Sequence, residues 1–183
     1  MKRAFFLDRD GVLIEEVGYL ADPEGVKLLA GAAEAVKLIH ASGFLAVVVS
    51  NQSGVARGYY GLSAVEAVNR RMCALLGEAG RDAVPDAIYI CPHHEKYGYA
   101  CDCRKPKPGM LLAAAHDYGI DLAASFMIGD RCGDLRAGQS AGCREAFLVT
   151  SGYGENSREE AAASGNRIFP GILEAVKFGV SAR

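Results

Sequence analysis

No class of partner is announced by the charge of this chain. Its 20 basic and 22 acidic side chains leave a formal net charge of -2, with an isoelectric point near 6.1. That balance lacks the electrostatic footprint of a nucleic-acid-binding domain. No internal repeat or low-complexity tract is present. No linker is rich enough in proline, glycine or serine to divide the chain. The first apolar run, Ala4-Phe5-Phe6-Leu7, is broken at once by Asp8. This interruption excludes a secretory core or a membrane span there, so the chain reads as cytoplasmic with no membrane partner. What is present is 183 residues, half of them hydrophobic. That is enough for one domain with a sizeable core, expected to cover residues 1–183. Six cysteines in a cytosolic chain suggest free thiols or metal ligands more than disulfides.

Short apolar runs alternate with helical patterns. Strands are expected at Phe5–Leu7, Phe44–Val49, Ala87–Cys91, Phe126–Ile128 and Ala146–Val149. Helices are expected over residues 30–42, from a Ser63/Glu66 capping box to Ala79, and from Pro108-Gly109 to Tyr118. Further helices are expected near 133–140, from a Ser157/Glu160 pair, and over 170–178. Such alternation predicts an α/β fold with a parallel sheet and helices on both faces. The longest irregular stretch, about residues 92–108, has the length of a functional or specially stabilised loop.

The strand ends carry the chemistry. The first ends in Asp8-Arg9-Asp10-Gly11, the second in Ser50-Asn51-Gln52-Ser53-Gly54 and the fourth in Gly129-Asp130; Arg104-Lys105 falls before the fourth. In an open α/β sheet the carboxyl edge of the strands is where ligands bind. Strand alternation sends Asp8 and Asp10 to one side and Arg9 to the other. One Mg²⁺-assisted phosphoryl-transfer site accounts for all of them. Asp8, Asp10 and Asp130 would hold a hard cation through oxygen. Ser50 and nearby amides would grip phosphoryl oxygens, and Lys105 would supply positive charge as the phosphoryl group transfers.

These motifs resemble the haloacid dehalogenase-like phosphatases. Asp8-x-Asp10-Gly11, Ser50, Lys105 and Gly129-Asp130 stand in that family's order. The likeness extends to its D-glycero-D-manno-heptose 1,7-bisphosphate phosphatases and the related histidinol-phosphatases. It runs through Asn51-Gln52-Ser53-Gly54-Val55-Ala56-Arg57-Gly58, Cys91-Pro92-His93-His94 and Cys101-Asp102-Cys103-Arg104-Lys105-Pro106. It covers about residues 3–150. Val12 and Arg131 depart from the residues common in relatives.

The resemblance implies a three-layer Rossmann-like fold with a minimal cap. It implies Asp8 as nucleophile and Asp10 as general acid, then base. It also implies Mg²⁺ on Asp8, the Asp10 carbonyl and Asp130, with Ser50 and Lys105 on the phosphoryl group. Arg57, Arg104 and Arg131 become candidates for the rest of a phosphorylated sugar. Glu16, Val17, Gly18 and Tyr19, with Asn51, Gln52 and Ser53, become candidate pocket residues. Asp134 reads as a helix N-terminal residue outside the ligand set.

Cys91-x-His93 with Cys101-x-Cys103 offers three sulfurs and one nitrogen. That is a complete tetrahedral Zn²⁺ set with no open position, so a structural staple for the loop. His94 is an alternative to His93, and a disulfide an alternative to zinc. The expected activity is a sugar bisphosphate phosphatase. The alternatives are a histidinol-phosphate phosphatase and an inactive zinc-stabilised binding module. Oligomeric state is not legible.

Overall fold

The computed structural model describes residues 1–98 and 100–181. Six strands form one sheet: β1 (Ala4–Leu7), β2 (Leu45–Asn51), β3 (Ala87–Cys91), β4 (Phe126–Gly129), β5 (Glu145–Val149) and β6 (Arg167–Phe169). Their order is β3-β2-β1-β4-β5-β6, and every pairing is parallel. The helices are α1 (Ala32–Ala41), α2 (Leu62–Glu78), α3 (Gly109–Tyr118), α4 (Cys132–Ala141), α5 (Gly154–Ala163) and α6 (Ile172–Ser181).

The central strands are apolar on both sides, as a sheet covered on both faces requires. Phe5, Leu7, Val48, Phe126, Ile128 and Phe147 pack toward α1, α2 and α6. Ala4, Phe6, Val47, Val49, Met127 and Leu148 pack toward the face carrying α3, α4 and α5. Strand order reverses at β1, which lies between β2 and β4. The crevice at that switch point, outside the carboxyl ends of β1, β2 and β4, is where a ligand site is expected.

Three local expectations fail. No side-chain cap opens α2: it starts at Leu62 after an extended Gly61, leaving Ser63 inside the helix. The next-to-last helix starts at Gly154, three residues before Ser157. The sixth strand is absent from the sequence reading, because three residues at a sheet edge with an exposed Arg167 carry almost no apolar pattern.

The segment between Gly11 and α1 is a small flap. Val12, Leu13 and Ile14 are fully buried. Leu29 N–H donates to the Leu13 carbonyl (2.9 Å) and Glu15 N–H to that of Lys27 (2.9 Å). This double strand closes locally and leaves the crevice open between loops. Among the described residues no helix is long and apolar enough to cross a membrane.

Candidate active site

β1 stops at Leu7, and the Asp8 amide donates to the Ile128 carbonyl (2.9 Å). Past that bond the chain turns: the Arg9 carbonyl accepts from Leu13 (2.9 Å) and Ile14 (3.1 Å). Asp8 and Asp10 both border the crevice. Arg9 lies off the crevice, as alternation suggests, and reaches Asn69 on α2. It is 1% exposed and doubles back onto Asp10.

Lys105 sits at the centre. Its ammonium lies 3.0 Å from Asp8 Oδ1 and 2.7 Å from Asp134 Oδ1, and it donates to the Val49 carbonyl (2.7 Å). Burial alone would pull this lysine down, but Asp134 and Asp8 outweigh it and hold it above its ordinary value. Asp134 also accepts the Arg131 N–H (3.0 Å) at the start of α4. It is thus a lysine anchor and a helix-start acceptor, and its carboxyl oxygens also fall within reach of an ion shared with Asp8 and Asp130.

Asp130 is fully buried. Its Oδ2 accepts the Tyr153 N–H (2.8 Å), while Oδ1 has no hydrogen-bond partner. The glycines around it are required by space. A Cβ on Gly11 or Gly152 would overlap Asp130 Oδ2, and both backbones have the positive φ that glycine tolerates (78° and 63°). The β5–α5 turn, Gly152-Tyr153, thus completes the site. Sequence reading attached nothing to it; a glycine-rich turn at the carboxyl end of the fifth strand was the available signal.

Carboxyl oxygens of Asp8, Asp130 and Asp134 lie within 4.8 Å of one another. Burial pushes Asp8 up to about 8, against the pull of Lys105, and pushes Asp130 up to about 7. Asp8, Asp10, Asp130 and Asp134 face only two buried cations, Arg9 and Lys105. The half-exposed Arg131 adds its Nε at 4.0 Å from Asp130 Oδ1, and the excess negative charge that remains is what a divalent cation would offset. Asp130 Oδ1, which accepts no hydrogen bond and has only the Arg131 Nε at 4.0 Å, and the second oxygen of Asp8 offer the hard oxygen ligands that Mg²⁺ takes. The residues present fit that ion.

The crevice has a volume near 540 Å³. Glu16, Gly18 and Tyr19 border it from the flap, and Asn51, Gln52, Ser53, Arg57 and Tyr60 from the loop after β2. Arg104 and Lys105 border it after the cysteine loop, and Arg131, Gly133, Asp134 and Tyr153 from the β4 and β5 ends. Val17 points into solvent, 56% exposed, and does not border the crevice. Ser50 is buried beneath Gln52, whose Nε2 donates both to Ser50 Oγ (2.9 Å) and to Asp10 Oδ2 (2.9 Å). Asn51 clamps Lys105 from both sides, donating to its carbonyl (3.0 Å) and accepting its N–H (3.1 Å). Arg57 donates to the Tyr97 hydroxyl (2.6 Å) and stacks near the rings of Tyr19 and Tyr97. Glu16 pairs with Arg131 (3.6 Å), whose guanidinium lies over the Tyr153 ring.

Cys91, His93, Cys101 and Cys103 converge at one point. Cys91 Sγ lies 3.0 Å from Cys103 Sγ and 3.6 Å from Cys101 Sγ. His93 Nδ1 lies 3.4 Å from Cys103 Sγ and 3.9 Å from Cys91 Sγ. Zn–S bonds of about 2.3 Å in a tetrahedron put sulfurs about 3.8 Å apart, so the set fits zinc with small adjustment. Burial raises the Cys91 thiol. At Cys101 burial acts the same way, but contacts from Cys103, the Arg104 amide, Cys91 and His93 prevail and bring it down to about 7. His94 is used elsewhere: its Nδ1 accepts the Lys96 N–H (3.2 Å). Arg104 donates to the His93 carbonyl (3.1 Å), tying the crevice wall to the thiol cluster.

A HAD-hydrolase-like family model matches residues 102–175. The chain is 39% identical over 181 residues to the D-glycero-beta-D-manno-heptose-1,7-bisphosphate 7-phosphatase of Pasteurella multocida, covering 97% of this chain and 96% of that one. It is 42% identical over 164 residues to the corresponding 7-phosphatase of Thermosynechococcus vestitus, covering 85% and 83%. Among solved structures, the D,D-heptose 1,7-bisphosphate phosphatase of B. bronchiseptica, complexed with magnesium and phosphate, superposes with a TM-score of 0.88. It is 32% identical, with all of both chains covered. The strand-end motifs, the crevice they line and this breadth of identity agree: the chain belongs to the haloacid dehalogenase-like phosphatases, in the branch that includes the heptose bisphosphate phosphatases.

Proposed function

We propose that this chain is a Mg²⁺-dependent phosphatase that removes the C7 phosphate of D-glycero-D-manno-heptose 1,7-bisphosphate through an aspartyl-phosphate on Asp8. The observation that carries this reading is the Asp8–Lys105–Asp134 ion cluster beside the Asp130 oxygen that accepts no hydrogen bond, at the sheet's switch point. The names of relatives similar over nearly their whole length support the substrate.

Asp8 Oδ1 is held by Lys105 and by the Arg9 N–H (2.8 Å), which leaves Oδ2 to attack phosphorus. The P–O bond to C7 breaks. The leaving alkoxide takes a proton from Asp10, because a primary alkoxide is a poor leaving group. Asp10 then takes a proton from a water that attacks the aspartyl-phosphate, freeing Asp8 and inorganic phosphate. Lys105 acts as a fixed positive charge, since its three N–H bonds are already committed to Asp8, Asp134 and Val49. Mg²⁺ held by Asp8, the Asp10 carbonyl and Asp130 would neutralise charge on the transferring phosphoryl group. Zn²⁺ on Cys91, His93, Cys101 and Cys103 would staple the loop that presents Arg104 and Lys105.

Arg57, Arg104 and Arg131 border the crevice away from the Asp8, Asp10 and Asp134 cluster, with Glu16 as the further acid in the lining. Three guanidiniums suit the second phosphate of a bisphosphate and oppose the cationic amine of histidinol phosphate. The discrimination expected is roughly a few kcal/mol, the scale of one charge-assisted contact or like-charge clash. Phosphate release is measured on both substrates with and without Mg²⁺. Heptose bisphosphate is expected to show the higher kcat/KM by about a hundredfold or more. Equal values, or a preference for histidinol phosphate, contradict the substrate assignment and leave the phosphatase reading intact.

A further inference from the structure

Arg9 is among the largest fully buried side chains, and neither a metal site nor the substrate accounts for it. Its guanidinium donates from Nε to Asp10 Oδ2 (3.1 Å) and from Nη2 to Asp10 Oδ1 (3.0 Å). Nη2 is also 3.0 Å from Oδ2. The remaining terminal nitrogen, Nη1, donates to Asn69 Oδ1 (2.8 Å) on α2. Gln52 Nε2 adds a donor to Asp10 Oδ2.

A carboxylate has about four lone-pair sites, two on each oxygen. Arg9 and Gln52 fill both sites on Oδ2 and one on Oδ1. One site on Oδ1 remains, on a side chain that borders the crevice. A planar fork fixes the carboxyl plane as well as its distance, which a lysine cannot do. The fork is itself anchored by a helix that packs in the core.

We propose that Arg9, anchored by Asn69, is a positioning residue that holds Asp10 so that the open site on Oδ1 faces the leaving-group oxygen. The proposal rests on the phosphatase reading above, with Asp10 as the acid and base of the reaction. Arg9 touches neither substrate nor metal and acts only through Asp10. In the first step a proton passes from Oδ1 to the C7 oxygen as the P–O bond breaks. In the second a proton passes from water back to the same oxygen.

The test separates placement of an acid from general support of the fold. kcat/KM reports the step up to loss of the leaving group. It is measured for the heptose bisphosphate, whose alkoxide needs a proton, and for p-nitrophenyl phosphate, whose phenolate does not. Arg9→Met is expected to lower kcat/KM about 100-fold on the sugar phosphate, at the low end of what a positioned acid contributes. On the aryl phosphate it is expected to lower kcat/KM less than about fivefold. Because the hydrolytic step still needs Asp10, the aryl phosphate should then show a burst of nitrophenol followed by a slow steady rate. Arg9→Lys should not rescue, since charge without the fork does not fix the plane. Asn69→Ala keeps the Arg9–Asp10 pair, loses only the anchor, and should give the same asymmetry at about tenfold. It decides the matter should Arg9→Met not fold. An equal fall on both substrates, full rescue by lysine, or parental kinetics in Asn69→Ala overturns the proposal and leaves the phosphatase reading standing. A parental protein with no Mg²⁺-dependent activity on either substrate overturns both.

Discussion

Replacing Lys105 by methionine keeps length and bulk but removes the charge. Asp8 and Asp134 then face each other with no cation between them, each less than a tenth exposed, with Asp130 close by. The Val49 carbonyl also loses its donor. Removing one partner of a buried ion pair costs about 3–5 kcal/mol, because the other charge stays desolvated. At about 2–4 °C per kcal/mol for a chain of this size, the melting temperature should fall by about 6–20 °C. The deficit should depend on pH in a definite direction. Acid protonates the carboxylates and relieves their repulsion; Asp8 and Asp130 already stand at about 8 and 7 with Lys105 in place, so the deficit should shrink between pH 9 and pH 6.5. Turnover should fall by about 10²–10³, the range for loss of one preorganised charge at a transferring group. Calorimetry across pH and phosphate release at saturating Mg²⁺ measure both effects. A melting temperature equal to the parent at pH 9, or a deficit that widens on acidification, refutes the reasoning.

Elemental analysis of protein purified without chelators should find about one zinc per chain, and Cys101→Ser should lower both zinc content and activity; a zinc-free protein with parental activity rejects the staple. Mg²⁺ binding should tighten with pH. Burial raises Asp8 to about 8 and Asp130 to about 7, so at lower pH the cation must displace protons that it need not displace at pH 9. Titration calorimetry in buffers of different ionisation enthalpy should therefore show proton release near pH 7, and pH-independent affinity would move the ion elsewhere. The linked effect on metal-free protein has the opposite sense. Both folded values lie above the ordinary carboxylate value of 3.8, so their contribution is fully present below about pH 4 and is lost as pH rises through about 7 to 8.

The parts of this site legible in the sequence are those whose chemistry coincides with a strand end. Phe5–Leu7 and Phe126–Ile128 are uniformly apolar, so the polar residues that follow them mark the sheet edge unmistakably. Asp8, Asp130 and Lys105 are brought together by parallel neighbours β1 and β4 and by the loop entering α3. The cysteine pairs are less legible, because Cys91-x-His93 and Cys101-x-Cys103 suit zinc or a disulfide by spacing, and only the fold brings the four side chains to one point. The choice of His93 over His94 agrees with the structure, where His93 joins the three cysteines and the Lys96 N–H holds His94. What failed lies where periodic rules stop applying. Alternation sends Arg9 away from the crevice, where it reaches Asn69, but does not show that its guanidinium also forks onto Asp10. Gly152 and Tyr153 contribute a missing side chain and a backbone N–H, neither of which leaves a residue-type signature. Ser63 and Ser157 match capping patterns by type, but each lies inside its helix.

The central claim is that one particular phosphate leaves one particular sugar through Asp8. Phosphorus NMR of D-glycero-D-manno-heptose 1,7-bisphosphate, incubated with the protein and Mg²⁺, reads this directly. The C7 resonance should disappear as inorganic phosphate grows in equal amount. The C1 resonance should persist, and Asp8→Asn should leave both untouched. Loss of the C1 phosphate, release of both phosphates, or turnover by Asp8→Asn at the parental rate would contradict the account.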